Sequence, residues 1–308
     1  MPECGVEESM SFGMTIIPGT VMTMASFHHG GNEKTGSVTL LNRQKWIVDG
    51  VPTSIPFVSG NSIRGQLRNI MMENMLKNIG YTIDVETGHG RKLFHALFSG
   101  GILESESSKL ERKNSKGEPT KPKKPSDDGF ANLKIKKTMY DLFPPIRLLG
   151  VAWNNQLIES VLKVGQMLPI CSELRDYLPL NVGADKALSV YNYVSQDFMT
   201  RRDQLGDRKK EEAVKQMMVD KEIFIAGTKF YHEFRIEDPT DLSMSCLKHM
   251  IDLWEARGIM GANTSRGYGV AKIEYGTPIK YGGPWNHDLY LKFLEENKTA
   301  MCEALDEF

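Results

Sequence analysis

The sequence predicts a mixed α+β protein, and three observations carry that expectation. From Ser59 the segment SGNSIRGQLRNIMMENMLKNIG brings Ile63, Leu67, Ile70, Met71 and Met75 to one face at helical spacing. From Ile223 to Ile236 the segment IFIAGTKFYHEFRI alternates strictly, with Phe230, His232, Phe234 and Ile236 on one side and Lys229, Tyr231, Glu233 and Arg235 on the other. The chain has 308 residues, of which 40% are hydrophobic, enough for two average domains or one large elaborated domain, and we read it as one spanning 1–308.

In chain order, Met10 to Phe27 mixes β-branched, aromatic and Met residues around Pro18 and Gly19, which reads as two strands or one broken strand. His28 to Gly36, HHGGNEKTG, holds three glycines in nine residues and suits a loop whose backbone approaches something closely. The helix from Ser59 follows, with Asn61 or Ser62 as its N-cap. Residues 104–129 carry Leu110 as their only large apolar residue and three prolines among many charges, the composition of a flexible insertion. Between Lys109 and Lys124 seven basic residues face two acidic ones. That run is either a solvated, solubilising loop or an arm that reaches phosphates.

An ordered stretch containing Tyr140 to Trp153 and a helix from Gln156 to Leu168 come next. The region 183–222 combines Tyr191, Tyr193, Phe198 and Met199 with Arg201, Arg202 and further basic residues, opposed by acids. Apolar side chains beside arginines wedge or stack bases while phosphates are neutralised; an exposed helix with i, i+4 ion pairs from Asp207 to Met218 accounts equally well for the second half. Within the strand at 223–236, His232 on the apolar face reads as a satisfied core histidine. A helix bearing Leu247, Met250, Ile251 and Trp254, a glycine loop, a strand from Val270 to Tyr275 and an acidic amphipathic helix from about Asp288 to Leu305 complete the chain.

Charge and cysteine usage exclude several classes. The 38 Lys and Arg against 39 Asp and Glu leave a net charge of -1, so a polyanion meets no global positive field and any nucleic-acid surface is local. Cys4, Cys171, Cys246 and Cys302 form no C-x-x-C pair, and the seven histidines show no metal-ligand spacing; neither a metal nor another cofactor is expected. No apolar run approaches the roughly 20 residues that span a bilayer, and MPECGVEESM lacks the apolar core of a signal peptide, which points to the cytoplasm and away from membranes.

Two constellations carry chemistry. The loop Gly258 to Gly269 joins glycine-freed amides to Asn263, Thr264, Ser265 and Arg266, a cradle for phosphate oxygens that lacks the G-K-[ST] ending of a nucleotide P-loop. Arg64 and Arg68 lie one turn apart near the start of the helix led by Ser59, Gly60, Asn61 and Ser62, where free amides and the positive dipole end favour an anion. The other reading of these arginines is pairing with nearby acids.

PFVSGNSIRGQLR at Pro56 to Arg68, IFIAGTKFYHEFRI and GANTSRGYGVAKIEY at Gly261 to Tyr275 together resemble the repeat-associated mysterious protein (RAMP) superfamily of CRISPR systems. Its late glycine loop is matched by Gly261, Gly267, Tyr268 and Gly269, whereas the family's earlier glycine falls on Ile259, one position from Gly258. With the Thr-Arg-Arg-Asp stretch Thr200 to Asp203, the order of pieces is most similar to the guide-RNA-coating backbone subunit of multi-subunit effector complexes, type IV first and type I-D as neighbour.

The resemblance implies a modified ferredoxin-like, RNA-recognition-motif-like core with finger and thumb insertions, the thumb falling in 183–222 with Phe198 and Met199 as its wedge. It implies RNA contacts from Ser59, Asn61, Ser62, Arg64, Arg68, His28, His29, Lys34, Arg201, Arg202 and the loop residues Gly261, Asn263, Thr264, Ser265 and Arg266. The implied partners are CRISPR guide RNA, a DNA or RNA target, further copies of the chain in a head-to-tail helical filament and other effector subunits, in antiviral defence. Type III relatives cut target RNA with a loop aspartate, but here Asn32 and Glu33 occupy that region, so no catalytic residue is expected. The competing expectation is a guide-processing endoribonuclease of the same superfamily with His28 or His29 as general base. A small-molecule phosphate binder or a structural protein is the third class.

Overall fold

The computed structural model describes residues 14–36, 38–101, 133–153, 156–201 and 217–307. The insertion at 104–129, Arg202, Asp203 and residues 207–216 of the helix expected from Asp207 to Met218 lie outside them, as do the side chains of Met199 and Arg201. The last two positions of that helix, Met217 and Met218, are strand instead, drawn into pairing with Arg201 and Thr200.

Of the strand region expected from Met10, residues 10–13 lie outside the described residues, and the rest opens with one strand, β1 (Met14–Thr23), not a broken one. Pro18 is tolerated because that side of the strand asks only for its carbonyl, which accepts from the Gly276 amide at 2.9 Å just past the end of the neighbouring strand. Next come β2 (Gly30–Thr35), β3 (Val38–Leu41), β4 (Arg43–Val48) and β5 (Val51–Pro56). The HHGGNEKTG segment is thus largely strand: β2 pairs antiparallel with β3, with a register irregularity between Gly30 and Lys34 that absorbs the glycines.

Helix α1 (Gly60–Ile79) is capped by Ser59, whose Oγ accepts from the Ser62 amide, two or three residues ahead of the cap expected at Asn61 or Ser62. Ile63, Leu67, Ile70, Met71 and Met75 are all buried, as the spacing requires. Then follow α2 (Gly88–Ser99), α3 (Leu133–Leu142), α4 (Pro144–Leu149) and the short strands β6 (Val151–Trp153), β7 (Gln156–Ile158), β8 (Leu162–Val164) and β9 (Leu168–Pro169). The helix expected over Gln156 to Leu168 is therefore absent. Apolar residues at 157, 158, 161, 162, 164, 167 and 168 suit either period, and pairing selects strand, β7 with the adjacent β6 and β8 and β9 with a partner far along the chain.

A lobe of short 3-10 turns between Ser172 and Tyr193 leads into β10 (Val194–Arg201) and β11 (Met217–Phe224). After a turn at 225–228 comes β12 (Lys229–Glu237), so the alternating segment is two strands rather than one. Helix α5 (Asp241–Arg257) opens with a Thr240/Ser243 capping box, β13 (Ala271–Tyr275) follows the glycine loop, and α6 (Asp288–Glu307) closes the chain.

The principal sheet runs β13-β1-β12-β8, with β9 extending β8 along β12 and every pairing antiparallel. Counting β8 and β9 as one interrupted strand, the core follows β1-α1-β(8/9)-β12-α5-β13 in spatial order 4-1-3-2, the ferredoxin-like arrangement. Ile17, Val21, Phe230, Phe234 and Ile236 meet Leu67, Met71 and Trp254 in one large apolar cluster between sheet and helices. On the reverse face Tyr231 packs with Ile55, Ile170, Leu174 and Val190 in a smaller cluster that seats the lobe of short turns. His232 is fully buried, its Nε2 3.1 Å from the Gly165 carbonyl and its Nδ1 2.5 Å from the Tyr275 hydroxyl, which makes it the satisfied core histidine expected. Of the strands inserted between β1 and α1, β2 and β3 share a second sheet with β10 and β11, in the order β10-β11-β3-β2 at the end of β1, while β4 and β5 pair with each other as a separate two-stranded sheet.

Candidate nucleic-acid interface

The site assembles where β1 ends. Phe27 bridges Phe224 at the end of β11, and the two histidines that follow are fixed from different sides. His28 is 5% exposed, and its Nδ1 lies 2.6 Å from the Glu222 carbonyl. A carbonyl only accepts, so Nδ1 carries the proton and Nε2 the lone pair. His29 Nε2 accepts from the Ser59 amide at 3.3 Å, so the ring shields the entrance of α1. Burial pulls both imidazoles below their ordinary pKa, for His28 against the opposing pull of its bond to Glu222.

The glycine loop lies directly against this pair. Gly261 has φ +78°, and a Cβ there would stand 2.3 Å from the Phe27 ring and 2.9 Å from the His28 carbonyl, so glycine is demanded twice over. The Ala262 amide donates to that carbonyl at 3.3 Å. Asn263 takes the left-handed conformation that its residue type tolerates, and a 3-10 turn of Thr264–Arg266 presents Thr264, Ser265 and Arg266 to solvent. Asn61 is exposed and Ser62 half-buried on the first turn of α1, which contains no acid to cancel the dipole. Lys34 is exposed on β2.

Arg64 and Arg68 are placed otherwise than expected. Arg68 is 7% exposed and donates to the Leu149 carbonyl at 2.8 Å and the Gly150 carbonyl at 2.9 Å, the unpaired acceptors at the end of α4. Arg64 is half-buried and donates to the same Leu149 carbonyl. Burial lowers the pKa of both, that of Arg68 to about 10 with the Arg64 charge adding to the effect. Their attraction to the negative end of a helix, rather than to a phosphate or a nearby acid, is the reason they sit where they do. Arg68 is thereby withdrawn from the surface expected to hold RNA.

Glu222 and Asp197 carry no local signature in the sequence. Glu222, 8% exposed, accepts from the Leu41 amide at 2.9 Å and pairs with Arg43, tying β11 to β3 and β4 while its carbonyl orients His28. Tyr268 donates to Asp197 on β10. Lys221 stands opposite Asp197 in the β10–β11 register. Phe198 is 62% exposed on β10. Among the described residues no group of three or more His, Cys, Asp or Glu is placed to hold a metal ion, and no helix is long and apolar enough to cross a membrane.

The sequence model of the RAMP superfamily matches residues 44–272. Among solved structures, a chain of a "Type IV-B CRISPR Complex" superposes with a TM-score of 0.53 at 16% identity, over 87% of this chain and 93% of that one. A chain of the crystal structure of Thermofilum pendens Csc2 gives a TM-score of 0.40 at 14% identity, over 96% of this chain and 76% of that one. No curated protein sequence matches.

Proposed function

The chain belongs to the RAMP superfamily, and from that premise we propose that it is a backbone subunit of a CRISPR effector complex that coats guide RNA. The observation that carries the reading is convergence: the exposed turn Thr264 to Arg266, the first turn of α1 and the His28–His29 pair, far apart in sequence, meet at one end of the sheet. Amides, hydroxyls and a guanidinium there suit phosphate oxygens and leave bases free to pair, so sequence is read by the guide and not by the protein. The likeness of fold to a chain of a type IV-B CRISPR complex agrees with it. The further partners would be target nucleic acid, other subunits and copies of the chain related head to tail, an open contact that propagates as a helical filament.

The second reading is guide-processing cleavage, favoured by the contact between His28 and the glycine loop. A general base needs an accessible lone pair. His28 is buried, and the Nε2 lone pair of His29 is engaged by the Ser59 amide, which supports binding over catalysis. We therefore expect no intrinsic nuclease activity, including at Glu33 on β2.

Purified protein is expected to carry RNA, seen as a raised 260/280 nm absorbance ratio and a large assembly that ribonuclease collapses. Single-site cleavage of repeat RNA that is lost in His28→Ala or His29→Ala would instead establish the nuclease. Metal-dependent cutting at regular steps that is abolished in Glu33→Ala would establish target cleavage.

A further inference from the structure

We infer that Lys221 on β11 and Arg266 on the glycine loop form the two sides of one phosphate subsite, held in place by the bond from Tyr268 to Asp197. The inference rests on the RNA-binding reading above and adds a residue and a mechanism to it: loop and hairpin grip the guide backbone as one unit.

In an antiparallel pair, residues directly opposite share a face, so Asp197 and Lys221 project to the same side of the β10–β11 hairpin. Tyr268, two residues beyond Arg266, reaches that side to bond Asp197, which docks the glycine loop there and brings Arg266 with it. Electrostatics agrees with this placement. Lys221 is half-buried, and its pKa is lowered first by burial and then by the Arg266 charge, so the two cations lie within each other's field. An anion placed between these two cations gains two charge-assisted contacts. A phosphodiester fits such a site, since it carries one negative charge and two free oxygens.

The arrangement also gives Tyr268 a task. Its hydroxyl bonds Asp197 and so couples the loop to the strand that displays Phe198. Phosphate capture at the loop and any base contact by Phe198 then move together.

The test is single-stranded RNA binding by the full chain, measured by fluorescence anisotropy at several salt concentrations. Lys221→Gln and Arg266→Gln are each expected to weaken binding about 5- to 10-fold and to reduce the salt slope by about 0.7, the value for one phosphate contact on a single strand. The double variant is expected to lose clearly less than the product of the two, because the second substitution acts on a subsite already broken. Lys221→Arg is expected to retain affinity, which separates loss of charge from loss of folding. Tyr268→Phe is expected to weaken binding with the salt slope unchanged, since no cation is removed. Additive losses, or an unchanged slope in Lys221→Gln while Arg266→Gln still loses affinity, would overturn the shared subsite and leave the RNA-binding reading intact. Absence of RNA binding by the unaltered protein would overturn both.

Discussion

Arg68 shows how one buried side chain can resemble a ligand-binding residue. Its guanidinium serves two carbonyls at the end of α4 and reaches toward the Leu97 carbonyl of α2, so three helices meet on one cation. Arg68→Met leaves the Gly150 carbonyl without this donor and the Leu149 carbonyl with Arg64 alone, and should cost about 2 kcal/mol, read from urea unfolding. The same variant should leave the salt slope of RNA binding where it was, whereas Arg266→Gln should lower the slope and spare stability. An Arg68→Met protein of unchanged stability and reduced slope would restore the phosphate role.

His232 gives a second measurement at this scale. Burial drives its pKa from 6.5 down to about 3 in the folded protein, partly opposed by the bond to Gly165. The unfolded chain therefore binds a proton that the native state refuses as pH falls below 6.5. The stability contribution is complete above about pH 6.5 and is lost toward pH 3 at roughly 1.4 kcal/mol per unit. His28, His29 and His249 are shifted in the same direction by burial and add to the trend. His232→Phe should be less stable at neutral pH, with the Tyr275 hydroxyl and the Gly165 carbonyl unpaired, yet its stability should fall less steeply with acid. A slope equal to that of the unaltered protein would show that His232 is not the group responsible.

At the scale of the element, α1 carries two glycines with opposite meanings. A Cβ on Gly60 would stand 2.4 Å from the Val164 carbonyl and 2.6 Å from the Gly165 carbonyl, both backbone, so Gly60 lets the helix start against the edge of the sheet. Gly65 has nothing within 4 Å of its would-be Cβ and lies exposed inside the helix. Gly60→Ala should destabilise by about 2 kcal/mol, more than Ser59→Ala, whose lost cap is worth about 1 kcal/mol. Gly65→Ala should stabilise by about 0.5–1 kcal/mol, since an interior helix glycine is entropically unfavourable. Thermal melts of the three variants check the order. If Gly65→Ala melts higher while binding RNA less tightly, the glycine is kept for close approach of the nucleic acid.

For the whole molecule, the net charge of -1 means that binding must draw on a few local contacts and not on a global field. RNA affinity per subunit should therefore be modest, with a salt slope that counts contacts in single figures, and strong retention should appear only when many copies share one strand. Titrating RNAs of increasing length by anisotropy should show affinity rising steeply once a second copy fits. Affinity independent of length would argue against a filament.

The amino-acid sequence was sufficient where the responsible interactions are local. Helical spacing on α1 and α5, alternation along β12, and the Gly261 to Gly269 loop follow from neighbours within a few residues, and the motifs they carry identify the superfamily. Tertiary contacts decided the rest. Leu162 to Pro169 became strand because β12, some 70 residues later, offered pairing partners, whereas Gln156 to Ile158 pairs with β6 just before it, and Gly30 to Thr35 became a strand because β3 offered partners. The site was legible in its loop, its helix entrance and its histidines. The glutamate that orients His28 is 194 residues away from it in sequence, and the bond from Tyr268 to Asp197 spans 71 residues. Periodicity reports which face of an element is apolar, but not which distant carbonyl or carboxylate that face will meet, so only the fold could turn Arg68 inward and bring Lys221 to Arg266.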